Sequence, residues 1–196
     1  MLNNIPPRIY LAGPEVFHPN AIELGAEKCR LCAEVGLEGV FPLDAELEIS
    51  GLEKHEQARR IALANEALIR SSDAMIANLT PFRGASMDAG TAFEVGFMRA
   101  LLRPVFGYTN SHQLYFHRSS VFRDTPHFAF DCDRAENQIE DFDQAENLMI
   151  SVAVTETAET LIRPHSENET APLDDLGTFH LCLQQAARQL VNCDNC

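Results

Sequence analysis

Apolar residues occur along this chain in two alternating patterns. Short continuous apolar runs such as "RIYLAG" and "DAMIANL" are typical of strands that are buried on both faces. Between them, apolar residues recur every three or four positions, as in "NAIELGAEKCRLCAEVG", and this spacing predicts amphipathic helices. The predicted strands cover 8–13, 37–44, 73–79 and 103–108, and the predicted helices cover 20–36, 53–72, 89–102, 144–163 and 176–192.

Strands that alternate with helices of this length predict a parallel α/β sheet. The irregular stretch 109–143 is predicted to contain one further strand near 126–130. We expect a single domain over 1–196, with its core in 8–163 and a linker and helix in 164–196. If the strand order is 2-1-3-4-5, ligands bind beyond the carboxyl ends of strands 1 and 3, at the loops "AGPEVF" and "TPFRGASMD".

Composition and charge narrow the function classes. Hydrophobic residues make up 45% of the 196 residues, and no apolar run reaches the ~18 residues of a transmembrane helix. The start "MLNNIPPRIYLAG" lacks the features of a signal peptide, so we expect a cytoplasmic protein without a membrane partner. The formal net charge of −14 repels polyanions, which favours a small-molecule ligand over nucleic acid.

Six cysteines include two C-x-x-C pairs, "CRLC" and "CDNC". Zinc ribbons separate such pairs by ~15–20 residues, whereas here the gap spans most of the chain. The first pair also falls in a predicted helix and the second at the terminus. We therefore expect reduced thiols and no metal site.

Glu94 is a carboxylate between Phe93 and Val95 in a segment that otherwise favours burial. Its neighbours toward the helix start, Gly90 and Thr91, are small, so Glu94 should lean over a notch that leaves room for a ligand. The alternative is that Glu94 caps the helix or pairs with an arginine such as Arg83 or Arg99. The residues alone leave these two interpretations about equal.

Other polar side chains flank the same crevice, and each also has a structural explanation. Asp88 stands where a helix N-cap is expected, and Tyr10 lies near the end of strand 1, where it is either a core residue or a partner of a carboxylate. Asp44 follows strand 2, where turn chemistry after a proline would also explain it. Asp73 opens strand 3 at the opposite end of the sheet, which favours a structural role.

Several carboxylates around one crevice suit chemistry at a glycosidic bond, in which one acid attacks the sugar carbon and another moves the leaving-group proton. The sequence contains no G-x-G-x-x-G after the first strand, no G-x-x-x-x-G-K-[ST] and no G-x-S-x-G. The usual dinucleotide, triphosphate and α/β-hydrolase motifs are therefore missing.

The fragments "IYLAGPEVF", "FPLD", "ANLTPFRG", "DAGTAFEVGF", "RPVFGYTN" and "ENLMI" occur in this order over roughly the first 160 residues. In these motifs the chain resembles the nucleoside 2-deoxyribosyltransferase family. The resemblance implies a flavodoxin-like fold, no cofactor, and transfer of 2-deoxyribose between nucleobases. Its substrates would be deoxynucleosides and free bases, with the role of a salvage enzyme.

The resemblance also implies residue roles. Glu94 matches the nucleophile that forms a covalent deoxyribosyl intermediate, Asp88 an acid that relays a proton to the leaving base, and Tyr10 a residue that orients the nucleophile. Asn147 matches a side chain that a neighbouring subunit lends, which implies a homo-oligomer, either dimer or hexamer. The remaining expected substrate contacts are Gly13, Phe17, Asp44, Phe82, Arg83 and Gly84.

Two alternatives remain beside transfer. Water could replace the acceptor base and give a hydrolase of deoxynucleosides or deoxynucleotides, or the fold could be a non-catalytic nucleotide-binding module. We expect Glu15, in the loop after strand 1, to repel a phosphate and so to favour a nucleoside. The tail after 163 matches nothing in the family, and the sequence does not distinguish purine from pyrimidine preference.

Overall fold

The computed structural model describes residues 5–44, 47–125, 137–166 and 170–191, without the side chain of Asp44. It contains a four-stranded parallel sheet in the order β2-β1-β3-β4, which confirms the predicted flavodoxin-like α/β fold. The strands are β1 (Arg8–Ala12), β2 (Glu38–Val40), β3 (Ala74–Asn78) and β4 (Val105–Tyr108). The helices are α1 (Ala21–Glu34), α2 (Lys54–Ser71), α3 (Ala89–Ala100), α4 (Tyr115–Arg123), α5 (Leu148–Thr155) and α6 (Gly177–Leu190).

Helices cover both faces of the sheet. Tyr10 and Met75 are in register and project to the face that carries α3 and α5, where Gly107 of β4 packs closely against Val154. Asn78 and Tyr108 project to the opposite face, which α1 and α6 cover. The strand residues are buried almost throughout, as expected for a parallel sheet between two helical layers.

At the amino end of the sheet, Asp73 has the structural role that its position predicted. Its carboxylate Oδ2 accepts a hydrogen bond of 2.8 Å from the backbone N–H of Arg8. The N–H of Asp73 in turn donates to the carbonyl of Arg8 at 2.7 Å. These bonds fix the register of β1 against β3, so Asp73 takes no part in the site.

The segment after α3 differs from the sequence prediction. The predicted helix over 144–163 is α5 alone, Leu148–Thr155, because Thr157 bonds the backbone of β4 instead of continuing the helix. Helix α4 lies inside the stretch predicted to be irregular, since its aromatic and serine-rich sequence, "YFHRSSVFR", has no helical apolar stripe. The predicted strand near 126–130 lies outside the described residues.

The free edge of β4 is occupied at one point by Ile162. Its N–H donates to the carbonyl of Gly107, and its carbonyl accepts from the N–H of Thr109, both at 2.9 Å. Ile162 thereby forms an isolated parallel bridge with Tyr108. The segment after α5 is thus tied to the sheet where a fifth strand was expected.

Candidate functional site

A cleft of about 120 Å³ opens at the carboxyl ends of β1 and β3, on the side of the sheet that α3 covers. Four separate segments of the chain contribute to it, which is the arrangement expected at a switch in strand order. The residues that line it are Gly13, Val16, Phe17, Pro42, Asn65, Asp88, Gly90, Thr91 and Glu94. The structure therefore brings together four of the expected site residues.

Glu94 and Tyr10 form a direct pair at the base of this cleft. The Tyr10 hydroxyl donates a hydrogen bond of 2.6 Å to Glu94 Oε1, and Tyr10 itself is fully buried within β1. Among the described residues no arginine forms an ion pair with Glu94; Arg83 instead lies over two phenylalanine rings. The alternative that Glu94 pairs with Arg83 or Arg99 is thus wrong for these residues.

The environment of Glu94 raises the pKa of its carboxyl group to a value close to neutral pH. The pKa of Glu94 is raised to about 7, chiefly by burial. The hydrogen bond from Tyr10 lowers this pKa, and the negative charge of Asp88 raises it. Burial and the charge of Glu94 raise the pKa of Tyr10, so the phenol stays protonated and remains a donor. A carboxylate with a pKa near 7 is partly ionised at neutral pH and is held by a fixed partner.

Asp88 caps α3, as its position predicted. Its Oδ2 accepts from the N–H of Thr91 at 2.9 Å and from the Thr91 hydroxyl at 3.2 Å. Both bonds use Oδ2, which leaves Oδ1 without a partner in the described part of the chain. A Cβ at Gly90 would lie 3.0 Å from Oδ2, so glycine at this position leaves room for the capping carboxylate. Capping and a role in the cleft are therefore compatible.

The loop after β3 meets the cleft only through aromatic stacking. The rings of Phe17 and Phe82 stack at 5.4 Å with an interplanar angle of 11°, and the Arg83 guanidinium lies 4.7 Å and 4.6 Å from their centroids. Arg83 adopts a φ of 57°, in the left-handed region that residues other than glycine rarely occupy. Phe82, Arg83 and Gly84 line a second cavity of about 470 Å³ against α4. Only Phe17 of this group lines the cleft with Glu94.

Asn147 lies at the start of α5 and does not line the cleft. Its Oδ1 accepts from the N–H of Met149 at 3.0 Å and so caps α5, while its Nδ2 donates to Glu140 at 2.5 Å. Asp44 ends a one-turn 3₁₀ helix, Pro42–Asp44, but its side chain lies outside the described part of the structure. Asn147 therefore does not join Glu94 among the described residues of the chain.

Asn65 is a cleft residue that the sequence reasoning missed. It lies on α2 and lines the cleft together with Glu94, with no hydrogen-bond partner among the described residues. A signal for it exists in the sequence, since Asn65 is four residues before the buried Ile69 and thus on the inward face of α2. An amide in that position can donate to a ligand and also accept from it.

Glu15 does not face the cleft as a free charge, so the expectation that it repels a phosphate is wrong. It is 1% exposed and paired with Lys28, which is 2% exposed. Its Oε1 also accepts from Asn78 Nδ2 at 2.8 Å and from the Tyr108 hydroxyl at 2.9 Å. Burial raises the pKa of Glu15, but the charge of Lys28 and the hydrogen bonds from Lys28 and Asn78 outweigh it and hold the pKa below its ordinary value. Phosphorylated donors are therefore not excluded on this ground.

Within the described ranges, no group of three or more His, Cys, Asp or Glu side chains is placed to hold a metal ion. Cys29, Cys32 and Cys182 lie in helices and form no disulfide, and burial raises the pKa of the Cys32 thiol to about 12. Cys132 and the "CDNC" pair lie outside the described residues. No described helix has both the length and the apolar character required to cross a bilayer.

Comparison with known proteins identifies the class to which this fold and cleft belong. Residues 9–149, well over half of the chain, match the nucleoside 2-deoxyribosyltransferase family. The chain belongs to this family, as its motifs predicted.

Three individual proteins are similar to this chain in structure or in sequence. A 2-desoxiribosyltransferase from Leishmania mexicana has a similar structure, with a TM-score of 0.60 and 25% identity over 91% of this chain and 98% of that chain. A conserved protein from Enterococcus faecalis shares the fold, with a TM-score of 0.53 and 18% identity over 92% of this chain and 98% of the other. An uncharacterized protein from Schizosaccharomyces pombe is 40% identical over 111 residues. That match covers 56% of this chain and 53% of the relative, about half its length.

Proposed function

We propose that this protein transfers 2-deoxyribose from one nucleobase to another through a covalent intermediate on Glu94. The observation that carries this proposal is the Tyr10–Glu94 pair, which places a partly ionised carboxylate in a cleft beside Asp88. Membership of the deoxyribosyltransferase family supports the reaction class. Salvage of deoxynucleosides is the corresponding biological role.

In the first step, a carboxylate oxygen of Glu94 forms a bond to the anomeric carbon while the bond from that carbon to the base nitrogen breaks. The electron pair leaves with the base, and Asp88 relays a proton from solvent to it. In the second step, a nitrogen of the incoming base displaces Glu94, and its proton returns through Asp88. Two inversions at one carbon give net retention of configuration.

Tyr10 has two functions in this proposal. Its hydroxyl holds one oxygen of Glu94, so the carboxylate attacks from a fixed position rather than from several rotamers. The same hydrogen bond favours the ionised form, which is the nucleophile. Because Tyr10 is part of β1 and paired on both sides in the sheet, its own position is fixed by the fold.

The cleft requires additional surface to enclose a nucleoside. Its volume of about 120 Å³ is well below the ~300 Å³ at which small-molecule pockets usually begin. Apolar side chains on α3 and α5 are exposed, with Phe93 at 60% and Met149 at 71%. We infer a homo-oligomer in which this surface is covered and Asn147 of one subunit completes the site of its neighbour.

The test of this proposal is incubation with deoxyinosine, with and without adenine, followed by chromatography. Transfer predicts deoxyadenosine only when adenine is present. Glu94→Gln should abolish exchange, and the exposed Glu23→Gln on α1 serves as the matched control. If hypoxanthine is released at the same rate with and without adenine, the reaction is hydrolysis and not transfer. The same assay with deoxyinosine 5′-monophosphate as donor shows whether the enzyme uses nucleosides or nucleotides.

The inferred oligomer has a separate test. Specific activity should fall on dilution in step with dissociation measured by light scattering. Asn147→Ala should lose exchange while its subunits still associate. Full activity of the monomer would show that Asn147 of a neighbouring subunit is not needed to complete the site.

A further inference from the structure

A third cavity, of about 430 Å³, lies between the segment after α5 and the outer face of α6. It shares no lining residue with the cleft that holds Glu94. Leu181, Gln184 and Arg188 contribute from one face of α6, and Arg163 and His165 contribute from the segment after α5. Its volume falls within the usual range of ~300–1,000 Å³ for small-molecule pockets.

The walls of this cavity are built into the fold. Gln185, which is 2% exposed, accepts hydrogen bonds from the N–H groups of Glu159 and Thr160 in the amide orientation that satisfies both partners. Gln189 Nε2 donates to the carbonyl of Thr157 at 3.0 Å. Ile162 is bonded to β4 on the other side. The segment that carries Arg163 is therefore held to the sheet and also to α6.

The charge of the cavity is opposite to that of the chain. Acidic residues outnumber Lys and Arg by 29 to 15 in the sequence, yet His112, Arg163, His165 and Arg188 line this cavity and no carboxylate does so among the described residues. Most other described arginines are engaged by acids, carbonyls or rings. Arg163 and Arg188 form no ion pair or hydrogen bond in the described structure.

Two arginines with unused N–H donors are suited to phosphate, because the planar guanidinium matches two phosphate oxygens at once. Leu161 and Leu181 provide an apolar wall beside them. A phosphate ion alone would leave most of the cavity empty. We propose that this cavity binds a phosphorylated small molecule, with its phosphate on Arg163 and Arg188 and its organic part against the two leucines.

The test measures binding to the full chain by isothermal titration calorimetry, with adenosine 5′-monophosphate, ribose 5-phosphate, inorganic phosphate and adenosine as probes. We expect the phosphomonoesters to bind more tightly than inorganic phosphate, and their binding to weaken as salt screens the charges. Arg163→Gln and Arg188→Gln should each weaken phosphomonoester binding at least about tenfold. Adenosine binding should be unchanged in both variants.

Arg99→Gln is the matched control, since Arg99 lies on α3, does not line this cavity, and forms no ion pair or hydrogen bond with another described residue. Retained far-UV circular dichroism verifies that the variants fold, as expected because Arg188 is exposed. Phosphomonoester binding that is no tighter than adenosine binding, or that is equal in wild type and both arginine variants, would overturn the proposal. If inorganic phosphate bound more tightly than both phosphomonoesters, the proposal would also be overturned, because the cavity would then be a site for a simple anion.

Discussion

Tyr10→Phe is expected to shift the pH dependence of exchange to higher pH. The substitution removes the 2.6 Å hydrogen bond to Glu94 Oε1 and leaves the ring in place. A hydrogen bond to a charged group contributes about 1.5–3 kcal/mol, and one pKa unit corresponds to about 1.4 kcal/mol. The pKa of Glu94, about 7 in the intact protein, should therefore rise by about one to two units.

The direction of this shift in the pH dependence follows because the ionised form of Glu94 is the nucleophile. Activity should rise as pH rises through the pKa of Glu94, and this limb moves upward in Tyr10→Phe. At pH 7 the ionised fraction of Glu94 would fall from about half to about 1–10%. Exchange at pH 7 should then fall roughly fivefold to fiftyfold and recover in part above pH 9.

The assay is kcat/KM for base exchange between pH 5 and pH 10. Tyr115→Phe is the control, because Tyr115 lies on α4 and lines a different cavity. A fall in activity that is equal at every pH would show that Tyr10 orients Glu94 without tuning it. An acidic limb at the wild-type position, or shifted downward, would refute the reasoning about the Glu94 pKa.

The remaining predictions concern stability and binding. Glu94→Gln should raise the unfolding free energy at pH 8 by up to about 3 kcal/mol. The reason is that the pKa of Glu94 is near 7 in the folded state, above the ordinary 4.5, so the stability of the wild type falls as pH rises between these values. Equal denaturant midpoints of the wild type at pH 4 and pH 8 would contradict this. Lys28→Met should destabilise the protein by about 3–5 kcal/mol, and Glu15→Leu added to it should restore much of the loss, as urea unfolding of the single and double variants would show. Asn65→Leu should raise KM for the nucleoside with folding intact, and an unchanged KM would remove Asn65 from the site.

The central part of the site could be predicted from the sequence because local patterns determine it. Strand 1 and the helix after strand 3 are strongly patterned, and in a parallel sheet their ends meet at one edge. The positions of Tyr10, Asp88 and Glu94 follow from that arrangement. Family motifs then supplied their roles, which remain proposals.

Other parts of the site depend on contacts that no local pattern contains. The loop at Phe82–Gly84 lines a different cavity from Glu94, and it contains a left-handed conformation at Arg83, a residue that rarely adopts it. Glu15 is neutralised by a lysine on α1, 13 positions further along the chain. A cation at Lys28 within the buried stripe of α1 was the available signal.

The Tyr10–Glu94 hydrogen bond joins the central strand pair to α3, so it reports the spacing between two layers of the core. Val95 and Met98 of the same helix are fully buried in the core. A substitution there that moves α3 by a few tenths of an ångström would stretch the hydrogen bond and change the acidity of Glu94 without touching the cleft. If the proposed exchange reaction occurs at Glu94, we therefore expect substitutions at these buried positions to shift the pH dependence of exchange.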